Sequence, residues 1–191
     1  PGGTEVIRVM EDGVQVDRHV YPGESLLVEP VPWNSVMGVA PPLSKVTVTL
    51  LLSDTTQKAT RTITAGATDG WYFWDVGKAI EESDVVVVEF ASGTVLSRTV
   101  DLLSLTVDAA NDRLVGEAPS GATVRGRVGN LTALGWRDVW TSTTATGSYT
   151  LTFGSANMLP EGWAGVRVAD AAGNDLATWR RGAWVQASQT F

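Results

Sequence analysis

The chain alternates apolar and polar residues in short runs that are separated by turn-forming residues. Residues 45–52 alternate Thr with Val and Leu, and residues 85–90 form a second run rich in Val. A period of two places successive side chains on opposite faces of a β-strand, so one face of such a strand is buried. Gly, Pro, Asn and Asp bound these runs, as expected for turns. The pattern therefore predicts an all-β fold of many short strands.

Helical periodicity is nearly absent. Residues 76–83 and, less clearly, residues 155–159 carry the only patterns that suit a short helical turn. Each segment is shorter than an average helix. We expect such a turn to connect strands and not to form a helical layer.

The sequence contains an internal repeat. Residues 36–42 read like residues 114–120, with Gly, Ala and Pro in the same register. Gly-Trp-Tyr at residues 70–72 corresponds to Gly-Ser-Tyr at residues 147–149. The offset stays between roughly 77 and 80 residues, which suits a repeat whose loops vary by one or two positions.

The repeat sets the predicted domain boundaries. We expect one β-sandwich at residues 22–103 and a second at residues 104–191. Several strands in about 80 residues suit a small Greek-key sandwich.

The first 21 residues match a third, partial copy of the unit. Residues 7–9 correspond to residues 166–168, and Gly13 corresponds to Gly93. Both matched segments belong to the hairpin that closes a repeat. Residues 1–21 are therefore predicted to be an additional hairpin of the same type.

An Asp-Gly pair at residues 12–13 supplies the positive φ that a tight hairpin turn requires. A lone two-stranded hairpin is marginal in water, so we expect it to dock on a sheet of this chain or of a neighbouring copy. The residues predicted to face that sheet are Val6, Val14, Val16 and Val20.

Composition narrows the classes of partner. The 191 residues are 43% hydrophobic, which is enough for a buried core, and they carry a net charge of −7. An acidic chain is poorly suited to nucleic acid or to an anionic membrane surface. It contains no Cys and no run of about 18 apolar residues, so we expect neither disulfides nor a membrane span. It begins with Pro1, so we expect a processed product or a segment of a longer polypeptide.

These motifs resemble the immunoglobulin-like repeats of large bacterial surface and secreted proteins. The resemblance rests on the two Gly-x-Ala-Pro motifs, the two Gly-x-Tyr motifs and the Gly-centred hairpins, and it covers almost the whole chain. It implies tandem immunoglobulin-like, Greek-key β-sandwiches in an extracellular or cell-surface protein. The Cys and Trp signature of antibody domains is missing. A spacer, adhesive or filament-forming role is what the resemblance suggests.

Catalysis has little support in the sequence. His19 is the only histidine, and it falls in the N-terminal hairpin without a nucleophile motif nearby. The adjacent acids Glu81 and Glu82 lie at a predicted turn, whereas the two acids of a glycosidase face each other across a cleft. We therefore predict that the chain is not an enzyme.

Two loops carry several oxygen-bearing side chains, the ligands that calcium prefers. Asp and Asn are also standard turn formers, so we favour plain turns at both loops and keep calcium as the alternative. We expect no resident cofactor, with calcium as the one candidate. The candidate ligands are Asp108, Asn111, Asp112, Asp170, Asn174 and Asp175.

Eight Trp residues are the least expected feature of the chain. Trp71 and Trp74 belong to one strand and face opposite sides of it, whereas Trp136 and Trp140 would share a face. Exposed aromatic residues can form contacts between subunits or stack on sugar rings. We favour protein contact over sugar binding, because the aromatic residues are dispersed over several strands and do not form one platform.

Two functions are therefore compatible with the sequence. The first is a structural subunit or segment of an extracellular bacterial fibre or adhesin. In it, sandwiches stack end to end, share strands between neighbours and contact other copies or neighbouring immunoglobulin-like domains. The alternative is a module of a secreted multidomain protein that binds polysaccharide or protein.

Overall fold

The computed structural model of the chain describes residues 5–11, 14–20, 23–30, 32–130, 135–154 and 162–181. Within these ranges the chain forms sixteen strands and one short 3-10 turn, Ala109–Asn111. The strands are β1 Glu5–Glu11, β2 Val14–Val20, β3 Leu27–Glu29, β4 Ser35–Val39, β5 Lys45–Leu51, β6 Gln57–Thr64, β7 Trp71–Asp75, β8 Val85–Phe90, β9 Val95–Thr99, β10 Thr106–Asp108, β11 Arg113–Glu117, β12 Thr123–Asn130, β13 Gly135–Ser142, β14 Ser148–Thr152, β15 Trp163–Ala169 and β16 Asp175–Arg181.

The first sandwich packs strands β3-β4-β7 against the four-stranded sheet β6-β5-β8-β9. Alternation along β5 buries Val46, Val48 and Leu50 and leaves the intervening Thr residues at the surface. These side chains meet Tyr72 and Ile80 in one apolar core.

The second sandwich repeats this arrangement. Strands β10-β11-β14 form one layer, and β13-β12-β15-β16 occur in the order that β6-β5-β8-β9 show in the first sandwich. A separate core contains Leu114, Leu151 and Phe153. The predicted all-β class with tandem immunoglobulin-like sandwiches is confirmed. The boundaries drawn at residues 21 and 103 stay a prediction.

The N-terminal hairpin is described by its two strands, whereas the Asp-Gly pair predicted to form its turn, at residues 12–13, lies outside the described residues. Strands β1 and β2 pair antiparallel, with Glu11 opposite Val14 and Val9 opposite Val16. Among the described strands, β1 and β2 pair only with each other. The predicted sheet-facing residues all lie on these two strands, which are described here by backbone alone.

A buried tyrosine explains the motifs that recur in the sequence. In the first sandwich Tyr72 lies on β7, and its hydroxyl donates a hydrogen bond to the backbone oxygen of Ser25 at 2.7 Å. The ring crosses β4 at Gly38, where a Cβ would lie 2.6 Å from the tyrosine oxygen and 2.0 Å from the Ser25 oxygen. The Gly and the Tyr are therefore required together.

The second sandwich contains the same cluster. The hydroxyl of Tyr149 donates to the backbone oxygen of Ser104 at 2.5 Å, and a Cβ at Gly116 would lie 2.2 Å from that oxygen. In both copies the serine side chain also accepts a hydrogen bond from the β-strand that carries the glycine.

The helical turn predicted at residues 76–83 is wrong. Gly77 and Ser83 both have positive φ, at 66° and 73°, which interrupts any helix. Ile80 is fully buried in the first core, and its backbone N–H donates to the side chain of Asn34. The segment is an irregular connection that is held by this packing. The second candidate turn, at residues 155–159, lies outside the described residues.

Candidate functional site

The two sandwiches are joined by main-chain pairing. Asp175 lies beside Leu27 and Leu176 beside Val28, so β16 runs parallel to β3. The backbone N–H of Asp175 donates to the oxygen of Leu26 at 2.9 Å. The result is one seven-stranded sheet, β13-β12-β15-β16-β3-β4-β7, which we call the shared sheet. Both sandwiches therefore contribute strands to one sheet.

Leu176 fills the junction with an apolar side chain. It belongs to a strand of the second sandwich, yet it is fully buried in the core of the first. Leu103, in the connection between β9 and β10, packs against both cores. Burial of one Leu side chain contributes about 1.5–3 kcal/mol, so Leu176 contributes substantially to the contact between the two sandwiches.

An aromatic contact closes one side of the junction. Trp33, between β3 and β4, stacks on Trp163 with ring centroids 5.8 Å apart. The Trp33 indole N–H also donates to the backbone oxygen of Trp179 at 3.4 Å. Both partners belong to the second sandwich, so Trp33 spans the two.

Polar contacts hold the loop that precedes β16. The side-chain amide of Asn174 donates to the backbone oxygen of Ser97 at 3.0 Å. Arg98, whose side chain is only 6% exposed, lies 3.1 Å from Asp101 and 3.7 Å from Asp170. A buried cation of the first sandwich therefore faces an acid of the second.

The loop at residues 170–175 carries half of the candidate calcium ligands. One carboxylate oxygen of Asp170 accepts hydrogen bonds from the backbone N–H groups of Ala172 and Asn174, both at 2.9 Å. The carboxylate of Asp175 pairs with Arg167 on the neighbouring strand. These acids thus organise the turn and the sheet.

The other candidate loop is also held by its own side chains. Asp108 accepts hydrogen bonds from Asn111 at 2.9 Å and from Arg113 at 2.6 Å, and these bonds lower the pKa of its carboxyl. Asp112 adopts a left-handed conformation with φ of 49° that ends the 3-10 turn. In the part of the chain that the structure describes, no group of three or more His, Cys, Asp or Glu side chains could hold a metal ion.

The outer face of the shared sheet presents a second surface. Trp136, Asp138 and Trp140 alternate outward along β13, and the two Trp side chains are 54% and 59% exposed. Arg127 lies over the Trp136 ring at 5.7 Å and Arg125 over the Trp140 ring at 5.4 Å. We call these five residues the Trp-Arg surface.

The two arginines of the Trp-Arg surface converge on Asp138. Arg125 and Arg127 approach its carboxylate at 2.6 and 2.7 Å. Burial alone would raise the pKa of Asp138, but the hydrogen bonds and charges of the two arginines outweigh it and lower the pKa to about 2. The carboxylate in turn fixes both guanidinium groups beside the aromatic rings.

Glycines in neighbouring strands let two tryptophan rings lie close to the sheet. A Cβ at Gly129 would be 2.6 Å from the Trp136 ring, and one at Gly165 would be 2.2 Å from the Trp179 ring. The two rings meet edge to face, with centroids 6.0 Å apart. The aromatic part of this face is therefore pre-arranged by packing.

The other two predicted contact residues, Trp71 and Trp74, lie on opposite faces of β7. Trp74 is 6% exposed and belongs to the first core, so its prediction as a contact residue is corrected by burial. Trp71 and Phe73 alternate to the outside and are 39% and 57% exposed. β7 is an end strand of the shared sheet, far along the strand order from β13.

Sequence reasoning missed the residues that join the sandwiches. No motif marks Trp33, Arg98 or Leu176 as a junction residue, because each contacts the other sandwich through a residue more than 60 positions away in the sequence. One signal was available: Leu176 occupies the hairpin position that matches Val16, an expected sheet-facing residue.

Within the ranges that the structure describes, no helix has the length and apolar character to cross a membrane.

No protein-family model and no curated protein matches the chain. Among solved structures, it is similar to a tetra-tandem repeat in the extending region of a large adhesion protein, with 19% identity and a TM-score of 0.33 over 90% of this chain and 53% of that one. The BSP domain of a biofilm associated protein matches with 15% identity and a TM-score of 0.33, over 87% of this chain and 30% of that one.

A pullulanase from Anoxybacillus sp. LM18-11, complexed with maltotriose, matches with 11% identity and a TM-score of 0.30, over 77% of this chain and 24% of that one. The chain thus spans about half of the first of these structures and less than a third of the other two. Because all three TM-scores lie below 0.5, the fold assignment rests on the strand order and the two cores described above.

Proposed function

We propose that the chain is a non-catalytic structural segment of an extracellular or cell-surface bacterial fibre or adhesin. Its two sandwiches act as one rigid body, and contacts with other copies or neighbouring immunoglobulin-like domains extend it. The observation that carries this proposal is the burial of Leu176, a residue of the second sandwich, in the core of the first. Tandem units that share a core and a sheet resist bending at their junction.

The ion pairs of the molecule support a structural role. Asp138 binds Arg125 and Arg127, and Asp175 binds Arg167, so each acid bridges neighbouring strands of the shared sheet. Acids committed to such pairs hold neighbouring strands together.

Replacement of Leu176 tests the rigid coupling. Leu176→Asp places a charge in the first core, so we expect the sandwiches to separate and to unfold in two calorimetric transitions where the original chain shows one. Small-angle scattering should report a larger radius of gyration. Leu43→Asp is the matched control, because Leu43 is 66% exposed and its replacement should change neither measurement. Two transitions in the original chain would contradict the proposal.

A second candidate function is the binding of polysaccharide by the Trp-Arg surface. Trp136 and Trp140 are its two exposed rings, and Arg125 and Arg127 place hydrogen-bond donors beside them. Aromatic faces next to polar groups suit the apolar faces and hydroxyls of sugars.

A glycan array and co-sedimentation with insoluble polysaccharides test this second function. We expect Trp136→Ala and Trp140→Ala each to weaken retention at least tenfold. Trp71→Ala is the matched control, because Trp71 is also exposed but lies on the opposite end strand of the shared sheet. Equal retention of all three variants, or none by the original chain, would remove the candidate.

A further inference from the structure

The N-terminal hairpin corresponds in part of its sequence and in its strand register to the hairpin that joins the sandwiches. Residues 7–9 of β1 match residues 166–168 of β15 in sequence. Val9 lies opposite Val16, as Val168 lies opposite Leu176. Val16 is therefore the counterpart of Leu176, and Gln15, the preceding residue, is the counterpart of Asp175.

The strand that receives β16 also has a counterpart. In the first sandwich Leu27 of β3 pairs with Met37, and in the second sandwich Thr106 of β10 pairs with Val115. Met37 and Val115 each directly precede the glycine of a Gly-x-Ala-Pro motif. Strand β10 is thus the counterpart of β3, with Thr106 in the place of Leu27.

The outer edge of β10 is open where that of β3 is filled. In the described part of the chain, β10 pairs with β11 alone, whereas β3 lies between β4 and β16. Val28 of β3 is fully buried beside Leu176, but its counterpart Val107 is only partly buried. Among the described strands, the outer edge of β10 is therefore unpaired beside a partly buried apolar side chain.

We propose that β2 of one copy pairs in parallel with β10 of a second copy, with Gln15 beside Thr106 and Val16 beside Val107. This inference rests on the proposed structural function and specifies its contact. It would link copies head to tail by the pairing that already joins the two sandwiches within one chain. An unpaired strand edge is a ready template for this type of association.

The occupant is β2 of another copy for two reasons. Strand β2 directly precedes the first sandwich in the sequence, and among the described strands it is not paired with β10 of its own chain. Strand β9, the counterpart of β16 in the first sandwich, also lies at the end of its sheet, but it already contacts the second sandwich through Asn174 and Asp170. Head-to-tail contacts of this kind generate open filaments unless the rotation closes a ring.

Disulfide trapping tests the register, and the chain offers a clean background because it contains no Cys. Paired residues of adjacent strands have Cα atoms about 5 Å apart, within the range that a disulfide spans. A Gln15→Cys chain is mixed with a Thr106→Cys chain that carries a larger fusion domain, and the mixture is oxidised mildly. We expect the mixed disulfide to form at least tenfold faster than one between Gln57→Cys and Thr106→Cys, since Gln57 lies exposed on β6.

Two further variants address the apolar contact from both sides. Val16→Asp in the first chain and Val107→Asp in the second should each reduce the rate of trapping to that of the Gln57 pair. Val107→Asp leaves the hairpin unchanged, so its effect does not depend on hairpin folding. A Leu27→Cys, Asp175→Cys chain should close an internal disulfide at any dilution, which confirms the pairing that serves as template.

Equal trapping rates for the Gln15 and Gln57 pairs would overturn the proposal, as would trapping that survives both Asp variants. Failure of the internal disulfide would also overturn it, because the template pairing would be absent. If intermolecular trapping is lost but the internal disulfide forms and the chain unfolds in one calorimetric transition, the pairing between copies is overturned. The proposed rigid two-sandwich segment is then retained. The two proposals therefore fail separately.

Discussion

The hydroxyl of Tyr72 donates a hydrogen bond to the backbone oxygen of Ser25 across the intervening strand β4. Burial raises the pKa of Tyr72 well above its ordinary value, so the group is a neutral donor throughout the usual pH range. The bond fixes the chain just before β3, the strand on which β16 docks. Tyr149 repeats the relationship in the second sandwich with Ser104.

Removal of this hydroxyl should destabilise the first sandwich. Tyr72→Phe leaves the oxygen of Ser25 without its donor, so we expect a loss of about 1–3 kcal/mol in the free energy of unfolding. Chemical denaturation measures it, and Tyr149→Phe should cost a similar amount. Phe73→Tyr, which adds a hydroxyl on the exposed face of the same strand, should stay within about 0.5 kcal/mol. An unchanged free energy of unfolding for Tyr72→Phe would contradict the hydrogen bond to Ser25.

Gly38→Ala should be more damaging than loss of the hydroxyl. Its Cβ would lie 2.0 Å from a backbone oxygen and 2.6 Å from the Tyr72 oxygen, so β4 and the chain before β3 must move apart. We expect a loss of more than about 3 kcal/mol, the range of severe core disruption. Gly93→Ala is the control, because its Cβ would have no atom within 4 Å. We expect it to lose only about 1–2 kcal/mol, the amount that a φ of 91° costs a residue with a Cβ. Similar losses for the two variants would refute the steric argument.

Acid should remove the contribution of Asp138. Its folded-state pKa of about 2 lies below the value of about 3.9 for an unfolded Asp, so its stabilising effect is complete above that unfolded pKa and declines as pH falls toward 2. The difference in unfolding free energy between the original chain and Asp138→Asn should therefore shrink from pH 5 to about pH 2. Denaturant titrations at several pH values measure it. A pH-independent difference would show that the two arginines do not hold the carboxylate ionised.

Chelation should leave the melting temperature unchanged. The carboxylates of Asp108 and Asp170 already accept hydrogen bonds from their own loops, which is the behaviour of turn-forming acids. A native-state ligand would raise the melting temperature by mass action, so EDTA and added calcium are direct probes. A fall with EDTA that calcium reverses, and that Asp170→Asn abolishes, would establish a site at residues 170–175.

The sequence predicts the strands and the repeat because their signals are local. Residues 45–52 alternate with period two, and the paired Gly-x-Ala-Pro and Gly-x-Tyr motifs mark the same cluster twice. These motifs recur because the Tyr72 ring packs closely against Gly38 on the neighbouring strand, where a Cβ would not fit. The helical turn predicted at residues 76–83 was wrong because that segment is determined by the burial of Ile80. This burial depends on the rest of the core and leaves no periodic pattern in the local sequence.

The junction was beyond prediction because its partners are distant in the chain. The match of Leu176 to Val16 indicates a residue that faces a sheet, but it does not show that this sheet belongs to the other sandwich. Nothing near Trp33 indicates a contact with a ring from β15. The shared face of Trp136 and Trp140 followed from strand alternation. The arginines beside them required the register of β12 against β13.

The parallel pairing of β3 with β16 also has a consequence for synthesis of the chain. All strands of the first sandwich leave the ribosome before Leu176 is added, so this sandwich must wait for the second to supply part of its core. Until then β3 presents an open edge next to apolar side chains, the condition under which nascent repeats pair with the wrong neighbour. Correct assembly therefore depends on how soon the second sandwich emerges, and slow translation of residues 104–176 would lengthen the vulnerable interval.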